Sequence, residues 1–277
     1  MGKYTDKEII HSKKGDIEYL EFNALKDLKH CITLRHGGFS ENEHESLNFR
    51  IYGTDKKENV LKNVEIVKEE LGFSNIYKSH QAHTDRVISI NDDNKDNYEF
   101  GVTTEETADG YIINEKKIAT MITTADCNPI IIYDPKNEVC ANVHAGWKGV
   151  INGIYINAIN IMEEKYNSNI KDLIICIGPS IRKCCFTSKE ESFKEKFTEK
   201  FKYEEEYLEY EVDKETFHID LIKILKKELN NAGIMSEQIH VADICTRCNT
   251  EDFFSYRHSV QNKIKDYGVM GTIVELK

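Results

Sequence analysis

The stretch MITTADCNPIIIYDPKNEVCANVHAGWKG, residues 121–149, constrains the fold more than any other part of the chain. Two apolar runs, 129–133 and 139–143, flank a polar reversal at Asp-Pro-Lys-Asn-Glu, the pattern of two strands joined by a turn. If the hairpin turns about Lys136, paired positions sum to about 272, and Cys127 faces residue 145, one place from His144. Opposed Cα atoms in an antiparallel ladder lie roughly 4.5–5.5 Å apart. A thiol and an imidazole 17 residues apart in sequence then meet at one end of a sheet. That meeting reads as a metal site, as a nucleophile with its base, or as chance.

Further short runs rich in Ile and Val are expected as strands at 17–22, 30–35, 86–90, 109–113, 118–123, 172–177, 239–243 and 269–275. Helical stripes separate them. Apolar residues at 60, 64, 67 and 71 follow Asp55 and Glu58, which resemble a capping box, and precede Gly72 at a C-cap position. A second stripe, at 150, 154, 158 and 161, predicts one helix. Ser188 and Glu191 open a box-like third, and 218–233 closes on Gly233. Strands clustered in the middle with helices inserted argue for an α+β fold, sheets covered by helices, over a doubly wound parallel sheet. EKFKYEEEYLEYE reads as a solvated surface segment. No composition break or linker marks a boundary, so a single domain over 1–277 is expected.

Acidic residues outnumber basic ones 48 to 37, a net charge of −11, which opposes general binding to nucleic acid or anionic membranes. A small anion held by one or two arginines is compatible with that balance. No run approaches the ~20 apolar residues of a membrane span, and the first residues lack the pattern of a secretory leader, so a cytoplasmic protein is expected. The eight cysteines show no spacing of a secreted disulfide framework and are read mainly as buried thiols.

A catalytic zinc takes three protein ligands and leaves a position for water or substrate. Cys127 and His144 need one more, and SHQAHTDR offers His80 and His83. In HAGWKG, Gly146 and Gly149 surround the single tryptophan where a strand passes into a helix, so backbone can approach closely there. LRHGGFS places Arg35 before two glycines, as an anion loop or a plain turn. DFFSYRHS flanks Arg257 with Phe253, Phe254 and Tyr256, as a stacking surface for a flat heterocycle or as core. CTRC, 245–248, is a lone CxxC and supplies only half of the four ligands a structural zinc needs.

The segments LRHGGFS, HQAH, TTADCNP, NVHAGWKG, IGPSI, ICT and FFSYR, in this order from about residue 33 to the end, resemble the YfiH-like family. Its members have been called multicopper polyphenol oxidases or laccase-domain proteins, peptidoglycan-editing factors, and zinc-dependent purine nucleoside phosphorylases with adenosine deaminase activity. The resemblance implies an α/β/β/α sandwich similar to the catalytic domain of cytotoxic necrotizing factor toxins. It implies zinc ligands at His83, Cys127 and His144, leaving His80 as a neighbour, and it aligns Arg35 and Arg257 with the family's arginines. Thr84, Ser180, His258 and Val269 depart from residues usual in the family.

The copper reading meets an obstacle in the sequence itself. None of the ten histidines forms the His-x-His pairs from which a trinuclear copper centre is built, and a mixed Cys/His set suits a single zinc better. The expectation is therefore a zinc enzyme acting on purine nucleosides and phosphate. In it Arg35 and Arg257 hold phosphate, Tyr256 stacks on the base, Cys127 and Arg35 lie at the catalytic centre, and Asp126 serves as acid/base or as support for Cys127. Two alternatives stand: a cysteine hydrolase built on Cys127 and His144 acting on peptidoglycan-type amides, and a zinc-stabilised binding protein without catalysis.

Overall fold

A computed structural model describes residues 2–102 and 106–277. The chain begins with β1 (Ile9–Lys14), β2 (Ile17–Phe22), β3 (Leu28–Thr33), α1 (Lys57–Leu71), β4 (Ile76–Tyr77) and β5 (Val87–Ser89). Then come β6 (Gly110–Ile113), β7 (Ala119–Thr124), β8 (Asn128–Asp134), β9 (Val139–Ala145), α2 (Trp147–Asn152), α3 (Ile154–Tyr166) and β10 (Ile174–Ile177). It continues through β11 (Thr187–Ser188), α4 (Glu191–Thr198), α5 (Glu204–Tyr207), β12 (Leu208–Glu211), β13 (Thr216–Ile219) and α6 (Leu221–Asn231). It closes with β14 (Ile239–Val241), α7 (Tyr256–Gln261) and β15 (Met270–Leu276).

Two six-stranded mixed sheets, ordered β1-β2-β3-β15-β7-β4 and β14-β10-β8-β9-β6-β5, pack against each other. The period of two in the second sheet decides which neighbour each residue meets. Tyr111, Ile113, Ile131, Tyr133, Cys140 and Cys176 join the first sheet in one core. Ile112, Ile130, Ile132, Ala141, Val143 and Ile175 turn the other way onto α3 and α6, through Ile154, Ala158, Ile159, Leu225 and Leu229. Strands buried on both faces need no alternation, which is why 129–133 and 139–143 read as unbroken apolar runs. Asn142 is the polar exception. Its amide donates to the carbonyls of Thr120 and Thr272 in the first sheet, at 3.1 and 2.9 Å, and ties the layers together.

The hairpin forms, but one residue away from the expected register. Pairs run from Asn128↔Ala145 to Asp134↔Val139, so positions sum to 273. The Asp134 carboxylate accepts from the N–H groups of Lys136 and Asn137, and Glu138 takes a left-handed conformation (φ 51°), which sets a four-residue loop with no central residue. His144 therefore opposes Pro129, and Cys127 stands just outside the ladder across from Gly146.

Other expectations shift for local reasons. Asp55 does not cap α1. Its carboxylate instead accepts from Ser40 and Asn48, and Lys56 occupies the N-cap without a side-chain bond. Gly72 ends that helix in the left-handed region (φ 73°), as its position suggested. The helix expected across 150–161 breaks at Gly153 (φ 76°) into α2 and α3. Ser188 belongs to β11, and Glu190 takes the N-cap of α4. The acidic stretch expected as solvated surface keeps Glu204, Glu205, Glu206 and Glu209 exposed while folding as α5 and β12, anchored by the buried Tyr207; β12, β13 and β11 form a third, small sheet. Among the described residues no helix is long and apolar enough to cross a membrane.

Candidate metal centre

β7 belongs to the first sheet and β8 to the second, so residues 125–127 carry the chain from one layer to the other. Asp126 makes that crossing in the left-handed region (φ 85°), which a non-glycine residue adopts only when its surroundings hold it there. Three donors do so. Its carboxylate accepts from the Thr246 hydroxyl at 2.6 Å, the Ser255 hydroxyl at 3.0 Å and the Arg257 N–H at 2.7 Å. With Asp126 fastened on that side, Cys127 faces the opposite way, into a cavity of about 250 Å³.

His144, at the end of β9, is buried and enters the same cavity. His83 comes from the loop between β4 and β5. Gln81 locks that loop to β7: its amide donates to the Thr123 carbonyl, and its oxygen accepts from the Thr123 N–H and hydroxyl at 2.8–2.9 Å. The ligand-capable atoms of His83, Cys127 and His144 all lie within 4.8 Å of one another, with Cys127 Sγ 3.8 Å from His83 Nε2.

Asp109 organises this trio and was missed in the sequence. Fully buried just before β6, it accepts from the backbone N–H groups of Ala82, His83 and Thr84 and from the Thr84 hydroxyl. It also accepts from His144 Nδ1 at 2.8 Å. That bond fixes the tautomer and leaves Nε2 free for a ligand, as metal-ligating histidines require. Thr84, which replaces the family's usual glycine, thereby gains a partner of its own. The ionised partners raise His144 to a pKa of about 9, Cys127 and Asp109 outweighing burial. For Cys127 burial works upward, but His144 and His83 bring the thiol down to about 7. Burial likewise opposes ionisation of Asp109, yet His144 and Thr84 hold it at about 2.

The remaining expected site residues lie elsewhere. Arg35 donates to the carbonyls of Glu45 and Thr250 at 2.8 Å and sits 4.6 Å above the Phe254 ring. It lines a second cavity with His258, separated from the first by Tyr267, which lines both. Arg257 uses its guanidinium on the carbonyls of Cys185 and Thr187. Tyr256 packs edge-on against Tyr267 and does not line the first cavity. Asp126, with three donors, anchors the Cys127 turn and the start of α7, in keeping with the support for Cys127 expected of it. The cations that do line the cavity are Lys78 and Arg50, with Tyr52, Tyr267, His80 and Val269 as further walls. Nothing in the local sequence of Lys78 or Arg50 marked them, because tertiary packing alone brings them to Cys127.

Gly146 makes the closest approach. A Cβ there would lie 2.8 Å from the His83 ring and 3.2 Å from Cys127 Sγ. Gly146→Ala is expected to push these two donors apart and lower metal affinity by at least the roughly tenfold typical of losing an outer partner. Chelator competition on purified protein measures this, and unchanged affinity would mean that the loop yields without cost.

The fold and the donor set define a mixed α/β protein with a Cys–His₂ cluster able to hold a metal ion. The chain belongs to the family described as multi-copper polyphenol oxidoreductase laccase, whose model matches residues 29–277. It is 29% identical over 262 residues to a purine nucleoside phosphorylase of Bacteroides thetaiotaomicron, covering 90% of this chain and 93% of that protein. It is 30% identical over 230 residues to the purine nucleoside phosphorylase YlmD of Bacillus subtilis, covering 82% of each. The crystal structure of the hypothetical protein YfiH from Bacillus licheniformis superposes with a TM-score of 0.85 at 25% identity, over 94% of this chain and 96% of that one.

Proposed function

We propose that this chain is a zinc-dependent purine nucleoside phosphorylase, converting adenosine or inosine and phosphate into free base and ribose 1-phosphate, and that the same centre deaminates adenosine. The carrying observation is one cavity that brings together the His83–Cys127–His144 donors, a lysine ammonium with no hydrogen-bond partner among the described residues, and aromatic walls. Relatives named purine nucleoside phosphorylase, similar along most of their length, support this choice of substrate. One thiol and two imidazoles fit zinc, and the donor set does not fit the several-histidine copper centre that the family's description suggests. When bound, the ion supplies a Lewis acid able to polarise an oxygen or lower the pKa of one.

The protein's own groups bind and orient. Lys78 is half-buried and, among the described residues, its ammonium has no hydrogen-bond partner; burial pushes its pKa down to about 8, against the pull of Asp109. A phosphate oxygen in the cavity provides the missing partner. Arg50 is ion-paired with Asp266 and lies 4.0 Å over the Tyr267 ring, so the two form a flat wall on which a purine stacks.

Lys78→Met is expected to raise the phosphate KM about ten- to a hundredfold, the equivalent of a charge-assisted bond of ~1.5–3 kcal/mol, with the nucleoside KM little changed. The pH dependence follows in sign: the ammonium is lost as pH rises through about 8, so kcat/KM for phosphate falls above that pH. Lys78→Arg, which stays charged, moves that limb upward. Steady-state phosphorolysis across pH measures both effects. An unaltered phosphate KM in Lys78→Met would remove Lys78 from this role.

One feature favours a second reading. Cys127, His144 and Asp109 also stand in the order nucleophile, base and orienting carboxylate, with the thiol at about 7. Alkylation kinetics separate the two readings: a metal ligand reacts slowly until the ion is chelated, a free nucleophile reacts fast throughout.

A further inference from the structure

The CxxC at 245–248 acquires its other half from the fold. Cys184 and Cys185 lie in the turn between β10 and β11, Cys245 and Cys248 at the two ends of a short helical turn, and the four sulfurs lie within 4.8 Å of one another. Cys248 Sγ is 3.4 Å from that of Cys185 and 3.7 Å from that of Cys184. A disulfide requires about 2.05 Å, so these are separate thiols. Four sulfurs at ~2.3 Å from a central zinc stand about 3.8 Å apart along the edges of a tetrahedron, close to the spacings seen.

We propose that Cys184, Cys185, Cys245 and Cys248 form a tetrathiolate site for a thiophilic tetrahedral metal ion, zinc in the first place, separate from the His83–Cys127–His144 centre. Four protein ligands close the coordination shell, so the site is structural and leaves no position for substrate. The surroundings suit it. The Arg182 N–H donates to Cys245 Sγ at 3.5 Å. Cys184 also borders an open surface depression, which gives an ion a way in.

The location gives the site a purpose. The turn holding Cys184 and Cys185 leads into the small third sheet, whereas Cys245 and Cys248 bracket Thr246, a donor to Asp126. The two loops touch through the Ser180↔Cys245 bridge, and Arg257 spans from α7 to the Cys185 carbonyl. An ion joining both loops clamps the scaffold that fastens Asp126 and, through it, the turn presenting Cys127. The assignment does not depend on the reaction carried out at that centre.

Metal content decides the matter. Wild-type protein purified under reducing conditions without added metal is expected to carry two equivalents of zinc per chain. Cys248→Ser loses one equivalent, Cys127→Ser loses the other, and the double variant loses both. Iron in place of zinc, lost selectively in Cys248→Ser, also supports the tetrathiolate. Should Cys248→Ser fail to fold, X-ray absorption of the wild type at the zinc edge provides the test, with four sulfur neighbours at about 2.3 Å expected around one ion. Metal content that does not fall in Cys248→Ser would overturn the proposal, as would an absorption edge with no four-sulfur component.

Discussion

Cys127→Ser is expected to cost the protein its metal at the cavity and, with it, nearly all turnover, because it removes the one anionic donor of the cluster. The loss should exceed the roughly 10–100-fold in affinity or activity that follows from removing a mere outer partner. The fold should survive, since Cys127 stands outside the β8–β9 ladder and is not part of the apolar core. A companion measurement distinguishes ligand from nucleophile. In metal-loaded wild type, iodoacetamide should label Cys127 slowly, because the thiolate's electrons are shared with the ion, and labelling should quicken after chelation. Fast labelling of the loaded protein, with activity that survives chelators, would favour the cysteine hydrolase.

Asp109→Asn should have the second largest effect. One carboxylate oxygen accepts from His83 N–H and His144, the other from Ala82, Thr84 N–H and the Thr84 hydroxyl. An amide directs N–H₂ at one of those groups of donors, and the loop carrying His83 loses its tie to β6. Metal affinity is expected to fall about 10–100-fold. Stability should change as well. The folded pKa of about 2 lies below the ordinary value near 3.8, so ionised Asp109 stabilises the folded state above pH 3.8, and that contribution fades as pH falls toward 2. The difference corresponds to about 2–3 kcal/mol, and the share of the His144 shift that comes from Asp109 describes the same interaction, so it is counted once. Denaturant titrations of metal-free wild type and variant should differ most at pH 6–7 and converge on acidification. A gap independent of pH would assign the loss to packing and not to charge.

The legible part of this protein was the part written in local pattern. The hairpin, the mixed α/β character and Gly72 as a helix terminator each follow from residues close in sequence. The strands β4, β11, β12 and β13 escaped because they are only two to four residues long and gain stability only from neighbours. The hairpin register was missed by one residue because a turn's length depends on which N–H groups the Asp134 side chain collects. At the site, Cys127, His83 and His144 carried recognisable motifs, whereas Asp109, Lys78 and Arg50 did not, since their places beside the cavity arise from packing between distant segments. Arg35 and Arg257 lie away from the Cys127 cavity for the complementary reason. A guanidinium beside glycines or aromatics looks poised for an anion, but both are used on backbone carbonyls. The CxxC shows the same principle in reverse, its partners lying about sixty residues upstream in a Cys-Cys pair with no motif of its own.

The central claim is that the cavity at Cys127 joins phosphate to the ribose of a purine nucleoside. The most direct measurement incubates metal-loaded protein with inosine and inorganic phosphate and follows phosphorus by NMR. The account expects a ribose 1-phosphate resonance to grow in equal amount with free hypoxanthine, with both absent when phosphate is withheld. Hypoxanthine released at the same rate without phosphate would make the reaction a hydrolysis. No turnover of inosine or adenosine by fully metallated protein would contradict the account and favour a binding protein without catalysis.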